Sequence, residues 1–320
     1  MAKVFPGIGL GMYRPHLRLL FLLLLTAATF PLSGCLFRTR RIDRQFSNVP
    51  LKTATQQELI EYMNKQAASI QSMQATVDID SSAGDPKGGT TTDYTEIRGY
   101  ILARKPAMLR MKGLLPVVRN TAFDMVSDGQ DFKLWIPQKN KFVLGSNSAD
   151  NYQPDKRFEN MRPQYIYDAL LMPEIGQDDA VRENGYETVL DAKRHHVEQP
   201  NYSLLVIRKG PQGAYLSRKI DFSRVDLLPY RQRIYDQEGN VVTDVHYHDY
   251  KDFGGTTFPN TVEIERPREN YDIVLNMVKL DINKKLTDDQ FVLEQPPGAD
   301  LVRLDQANTS EVRTADRPSK

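Results

Sequence analysis

From Ala75 to Ile282 the sequence returns again and again to a period of two, and that pattern confines the chain to sheet-rich folds. Ala75, Val77 and Ile79 alternate with Thr76, Asp78 and Asp80. Strand-like runs follow at residues 94–102, 108–112, 121–127, 131–136 and 141–144. A second series covers 187–197, 202–208, 215–222, 227–235, 241–250, 257–265 and 271–282. Tight-turn chemistry separates several of them: Asp128-Gly129, Pro137-Gln138-Lys139-Asn140, Asp236-Gln237-Glu238-Gly239-Asn240 and Asp252-Phe253-Gly254-Gly255. Residues 81–92 are rich in Gly, Ser and Thr and read as a connection.

Two stretches carry the helical period instead. Thr55-Gln56-Gln57-Glu58 is a capping box, in which the Thr oxygen takes a free amide while Glu reaches back. Leu59, Met63, Ala67 and Ile70 follow on one face, which must cover something. Residues 157–171 read as a second helix with Pro163 in its first turn and Ile166, Ala169 and Leu170 on one side. No repeat and no low-complexity linker divides residues 55–300. The expectation is an α+β domain built on a single large antiparallel sheet, long enough that its twist makes it curl.

Ahead of this domain lies a segment of another kind. Lys3, Arg14 and Arg18 precede the apolar run 19–25, which continues through Phe30. Such a run is short for a membrane span of ~20 residues and reads as a signal peptide over 1–34. It ends at Leu32-Ser33-Gly34-Cys35, which resembles the bacterial lipobox, and Cys35 is the chain's one cysteine. No internal disulfide and no cysteine-based zinc site can therefore form. Lipidation of Cys35 would anchor the protein, because two or more acyl chains, at ~0.8 kcal/mol per buried CH₂, hold a membrane stably. Leu36 stands where an Asp would retain a lipoprotein at the inner membrane, so the expected location is the outer membrane, facing the periplasm. Residues 35–54 form the lipidated tether. Arg38, Arg40, Arg41 and Arg44 interleave there with Phe37, Ile42 and Phe46, a mixture suited equally to anionic headgroups and to a solvated linker. A polar tail is expected over 301–320.

Beyond the leader, 39 basic residues stand against 41 acidic ones, so no global field points to nucleic acid.

The order of elements resembles the LolA/LolB superfamily of lipoprotein carriers over most of residues 55–300. The helix leads into a strand at Ile70-Gln71-Ser72-Met73-Gln74-Ala75. Arg104-Lys105-Pro106-Ala107-Met108-Leu109-Arg110-Met111 looks like the family's strand after an Arg-Pro step. Phe123-Asp124-Met125-Val126-Ser127-Asp128-Gly129 is similar to its hairpin, followed by Leu134-Trp135-Ile136-Pro137. Leu228-Pro229-Tyr230-Arg231-Gln232, Phe258-Pro259-Asn260, Phe291-Val292-Leu293 and Pro297-Gly298 continue the match. The resemblance implies a half-open β-barrel whose concave apolar face is covered by helices and accepts acyl chains. An anchored chain corresponds to a LolB-like receptor rather than a soluble shuttle. The sigma-regulating RseB-type relatives imply the other reading, a structural or regulatory envelope lipoprotein that binds a protein partner.

Candidate cavity residues are Leu109, Met111, Phe123, Met125, Phe132, Leu134 and Ile136 on strands, with Ile166 and Leu170 on the second helix. Each is also a candidate for ordinary core. Leu114, Leu115, Val117 and Val118 flank Pro116 where a polar turn is expected. They make either a membrane- or cargo-touching loop or a buried strand continuation. Catalysis finds no support: there is no Gly-x-Ser-x-Gly, no phosphate loop, no His-Glu-x-x-His and no Cys–His pair. His246 and His248 share a strand face and His195-His196 are adjacent, but nothing in the sequence joins the pairs or adds a further ligand. Neither a cofactor nor a metal is expected. The partners expected are the membrane, through the N-terminal lipid, and a lipid or lipoprotein cargo.

Overall fold

The computed structural model describes residues 46, 48–84, 89–147, 162–176, 179–190, 195–211 and 213–304. Cys35, the leader 1–34, most of the tether and residues 305–320 lie outside them. So do residues 157–161 of the expected second helix. Among the described residues no helix is long and apolar enough to cross a membrane.

The strands are β1 (Ser72–Gly84), β2 (Thr91–Arg104), β3 (Met108–Leu114), β4 (Thr121–Ser127), β5 (Asp131–Ile136), β6 (Lys141–Ser146) and β7 (Ala180–Leu190). Then come β8 (His196–Gly210), β9 (Gly213–Ser223), β10 (Pro229–Tyr235), β11 (Val241–Asp252), β12 (Thr257–Arg266), β13 (Tyr271–Ile282) and β14 (Asp300–Arg303). All 14 lie in one sheet, in the order β14-β6-β5-β4-β3-β2-β1-β13-β12-β11-β10-β9-β8-β7. Two meanders, β1 to β6 and β7 to β13, are thus joined side by side through the antiparallel pair β1–β13. β7 and β14 remain as edges, so the sheet is not closed. Accumulated twist of about 20–25° per strand curls a sheet of this width.

Two α-helices occur among the described residues, α1 (Gln56–Ser69) and α2 (Pro163–Leu170). α1 starts where the capping box places it: the Thr55 side chain accepts from the Glu58 amide, and Glu58 Oε2 accepts from the Thr55 amide at 2.7 Å. α2 begins on Pro163, whose missing N–H would be unpaired in a first turn anyway. The inward side chains of β1–β5 and β11–β13 form one apolar cluster with Ile166, Tyr167, Ala169 and Leu170 of α2. A second cluster sets Leu59, Ile60 and Met63 of α1 against Tyr202, Leu204, Ile220 and Phe222 of β8 and β9. The other face of β4 and β6 is also covered, by Leu293 and Ala299 against Val126 and Phe142. Arginines staple that C-terminal segment down. Arg110 forms a two-pronged pair with Asp124 (3.0 and 2.8 Å) and donates to the Gln290 carbonyl, while Arg104 lies 5.1 Å from the Phe291 ring centroid.

Three expectations are corrected. Residues 187–197 do not make one strand: Leu190 pairs with His196, so the chain reverses between β7 and β8. The connection at 81–92 is shorter than its composition suggests, since β1 runs to Gly84 and β2 starts at Thr91. The polar tail begins later than 301, because β14 pairs in parallel with β6 and Leu304 is buried in the main cluster. Asn140 fixes that last strand. In left-handed conformation (φ 49°) it accepts from the Asp300 amide and donates to the Gly298 carbonyl.

Candidate functional site

A cleft opens between the two helices and the sheet. α1 contributes Tyr62, Met63, Gln66 and Ala67, and the C-terminal end of α2 contributes Ala169 and Leu170, followed by Leu171 and Met172. Pro229, Tyr247, Tyr250, Phe258 and Pro259 of β10–β12 form the floor. The enclosed space is small, about 50 Å³, and it continues into an open mouth.

The polar atoms at the cleft are largely spent on holding its walls. Tyr250 Oη donates to the Pro229 carbonyl (2.6 Å) and Tyr247 Oη to the Ala169 carbonyl (2.9 Å). Burial pushes both phenols up and lifts Tyr62 to about 12, with Asp226 adding to the latter, so all three stay protonated at neutral pH. Gln232, fully buried on β10, accepts from Arg218 Nη1 (2.7 Å) and donates to the Asp168 carbonyl (3.3 Å), tying the end of α2 to the sheet. Lys105 is the one charged residue lining the cleft, and its Nζ donates to the Ala67 carbonyl near the end of α1. Burial depresses its pKa, against the pull of Glu174.

The residues nominated from sequence are brought together, but elsewhere. Leu109, Met111, Met125, Phe132, Leu134, Ile136, Ile166 and Leu170 are buried in the main cluster, and Phe123 is half-buried against it. Of these only Leu170 lines the cleft. Gly113 permits the tight packing around Phe123: a Cβ there would come within 2.5 Å of the ring. The cleft residues that sequence reasoning missed had partial signals in the α1 stripe (Met63, Ala67, Ile70) and in the Leu-Pro-Tyr and Phe-Pro-Asn pieces.

The loop after β3 projects. Leu114 and Leu115 are half-buried, whereas Val117 is 98% exposed and Val118 63%. Val117 also has φ 65°, a left-handed conformation that a β-branched residue adopts only under strain. We expect Val117→Gly to stabilise the fold by about 1 kcal/mol, measured as a shift of the urea midpoint, because glycine carries no Cβ penalty there.

No family model matches the chain, and no curated protein does. Among solved structures it is similar to a LolA superfamily protein from Nitrosomonas europaea, at 15% identity and a TM-score of 0.45, covering 75% of this chain and 99% of that one. It is also similar to an outer-membrane lipoprotein-sorting protein domain from Vibrio parahaemolyticus, at 12% identity and a TM-score of 0.43, covering 74% and 97%. The Pseudomonas aeruginosa MucA/MucB complex matches at 13% identity and a TM-score of 0.22, covering 74% and 61%. At TM-scores below 0.5 these likenesses carry no argument about activity, and no residue role is transferred from them.

Proposed function

We propose that the chain is a lipid-anchored bacterial lipoprotein of the outer membrane that takes up lipid or lipoprotein acyl chains between its helices and its sheet. The observation that carries this reading is the cleft: apolar walls from α1, the end of α2 and β10–β12, with one ammonium at its side. Each CH₂ withdrawn from water into such walls contributes ~0.8 kcal/mol, so sequestration needs no chemistry. Lipidation of Cys35 would keep the cleft within reach of the bilayer, and the exposed Val117-Val118 tip is suited to touching lipid. Val118→Glu is expected to leave the melting temperature within about 2 °C, as surface changes do, while slowing lipid transfer to acceptor liposomes. An unchanged transfer rate would remove the tip from the account.

A second reading, a scaffold that binds a protein, draws on the edge strand β7, which Gln56 of α1 covers only at the Ala180 carbonyl and the Arg182 amide. Val181, Tyr186 and Leu190 of β7 are each more than half exposed, and an unpaired edge strand accepts an extended peptide. Native mass spectrometry of the Cys35→Ala protein, isolated from its own cell envelope, separates the two. Acyl lipid retained in stoichiometric amount is expected. A lipid-free protein carrying a defined polypeptide would favour the scaffold.

A further inference from the structure

The face of the sheet turned away from the cleft carries a set of side chains that neither reading uses. On β11, Val245 and Tyr247 point into the core, so Asp244, His246 and His248 project from the opposite side. On β12, Val262 and Ile264 point inward, and Glu263 and Glu265 project with them. The register sets Asp244 beside Glu265 and His246 beside Glu263. His246 Nε2 lies 3.5 Å from Asp244 Oδ1, and one ligand atom each from Asp244, His246 and Glu265 lies within 4.8 Å of the others. The His248 ring stacks on that of His246 at 6.2 Å and 9°, with its Nε2 3.7 Å from Glu263.

We propose that Asp244, His246 and Glu265 hold a divalent transition-metal ion of the zinc class, with Glu263 and His248 beside it. The donor set is mixed, one imidazole with carboxylates, which suits zinc and its neighbours better than magnesium or calcium. Ligand atoms at about 2.1 Å from one ion stand roughly 3–4 Å apart, so a small side-chain rotation closes the set. Three carboxylates lie near two guanidiniums of β10: Arg231, which pairs with Asp244, and Arg233, the register partner of Asp244, whose own ion pair is with Asp221. Arg231 donates to both oxygens of Asp244 (2.8 and 2.5 Å), yet each carboxylate oxygen keeps a second lone pair. Arg231 thereby holds Asp244 in orientation, as a supporting hydrogen bond does for a metal ligand. Glu265 makes no side-chain hydrogen bond among the described residues, and the Arg231 guanidinium acts on it through space. Asp244 is buried while His246 and Glu265 reach solvent, so water can complete the coordination, and the ion is exchangeable rather than a folding staple. The site spans two strands on the far face, and it stands whether or not the cleft binds lipid.

Calorimetric titration of the full chain with zinc chloride tests this, alongside His246→Gln, Glu265→Gln and a control in which His195 and His196 are both Gln. One zinc per chain is expected, at least tenfold weaker in the first two variants and unchanged in the control. Chemical shifts of the imidazole nitrogens in the unmodified protein give a readout that needs no variant: zinc should move His246. Absence of saturable binding overturns the proposal. So does binding that survives both substitutions, binding lost only in the His195/His196 control, or a His246 resonance that stays in place.

Discussion

Leu134→Asp is expected to destabilise the fold by about 4 kcal/mol or more, enough to consume most of the stability of a typical domain. Leu134 is 2% exposed and sits in the ladder between Met125 and Val143, both fully buried. It belongs to the main apolar cluster. A carboxylate there is either desolvated or protonated at a cost, and the leucine's packing is lost as well. Equilibrium unfolding in urea, followed by circular dichroism, measures the effect. Phe123→Asp, at a half-buried position on the rim of the cluster, should cost clearly less. Equal losses at the two positions would mean that the cluster is not packed as described.

The second large effect concerns the anchor. Cys35→Ala removes the only thiol in the chain, so acylation should fall to background and lipoprotein-type cleavage before residue 35 should stop. Metabolic labelling with a fatty-acid analogue reads this directly. Label retained in the variant would contradict lipidation at Cys35.

How far the sequence spoke depended on local contrast. β4 and β5 begin and end where the alternation does, because Asp128-Gly129 and Pro137 punctuate them; Gly129 takes φ 97° in its turn. α1 was legible from its capping box and stripe together. β7 was not, because it is an edge strand whose stretch from Arg182 to Glu187 is polar on both faces, so burial imposes no alternation on it. β14 has four residues and pairs with β6 over some 160 residues of chain, which leaves no local trace. The same contrast explains the site. Residues such as Met111 and Met125 face each other across one ladder and announce themselves as an apolar face. The cleft draws on α1, α2, β10, β11 and β12, and nothing in the sequence tells Tyr250 that Met63 is its neighbour. The histidine pair was visible, but Glu265 joins it only through the β11–β12 register.

On the proposed function, the cleft rather than the packed cluster beside it receives the acyl chain. Met172 is half-buried and lines the cleft at the end of α2, so a glutamate there can stay hydrated in the empty protein yet must lose water when an acyl chain enters. Titration of a fluorescent fatty acid into the wild type and Met172→Glu, with melting temperatures taken on the same samples, is the direct test. Saturable binding by the wild type, weakened at least tenfold in a variant that melts within a few degrees of it, is the predicted result. Equal affinity in a folded Met172→Glu protein, or no binding by the wild type, would contradict the account.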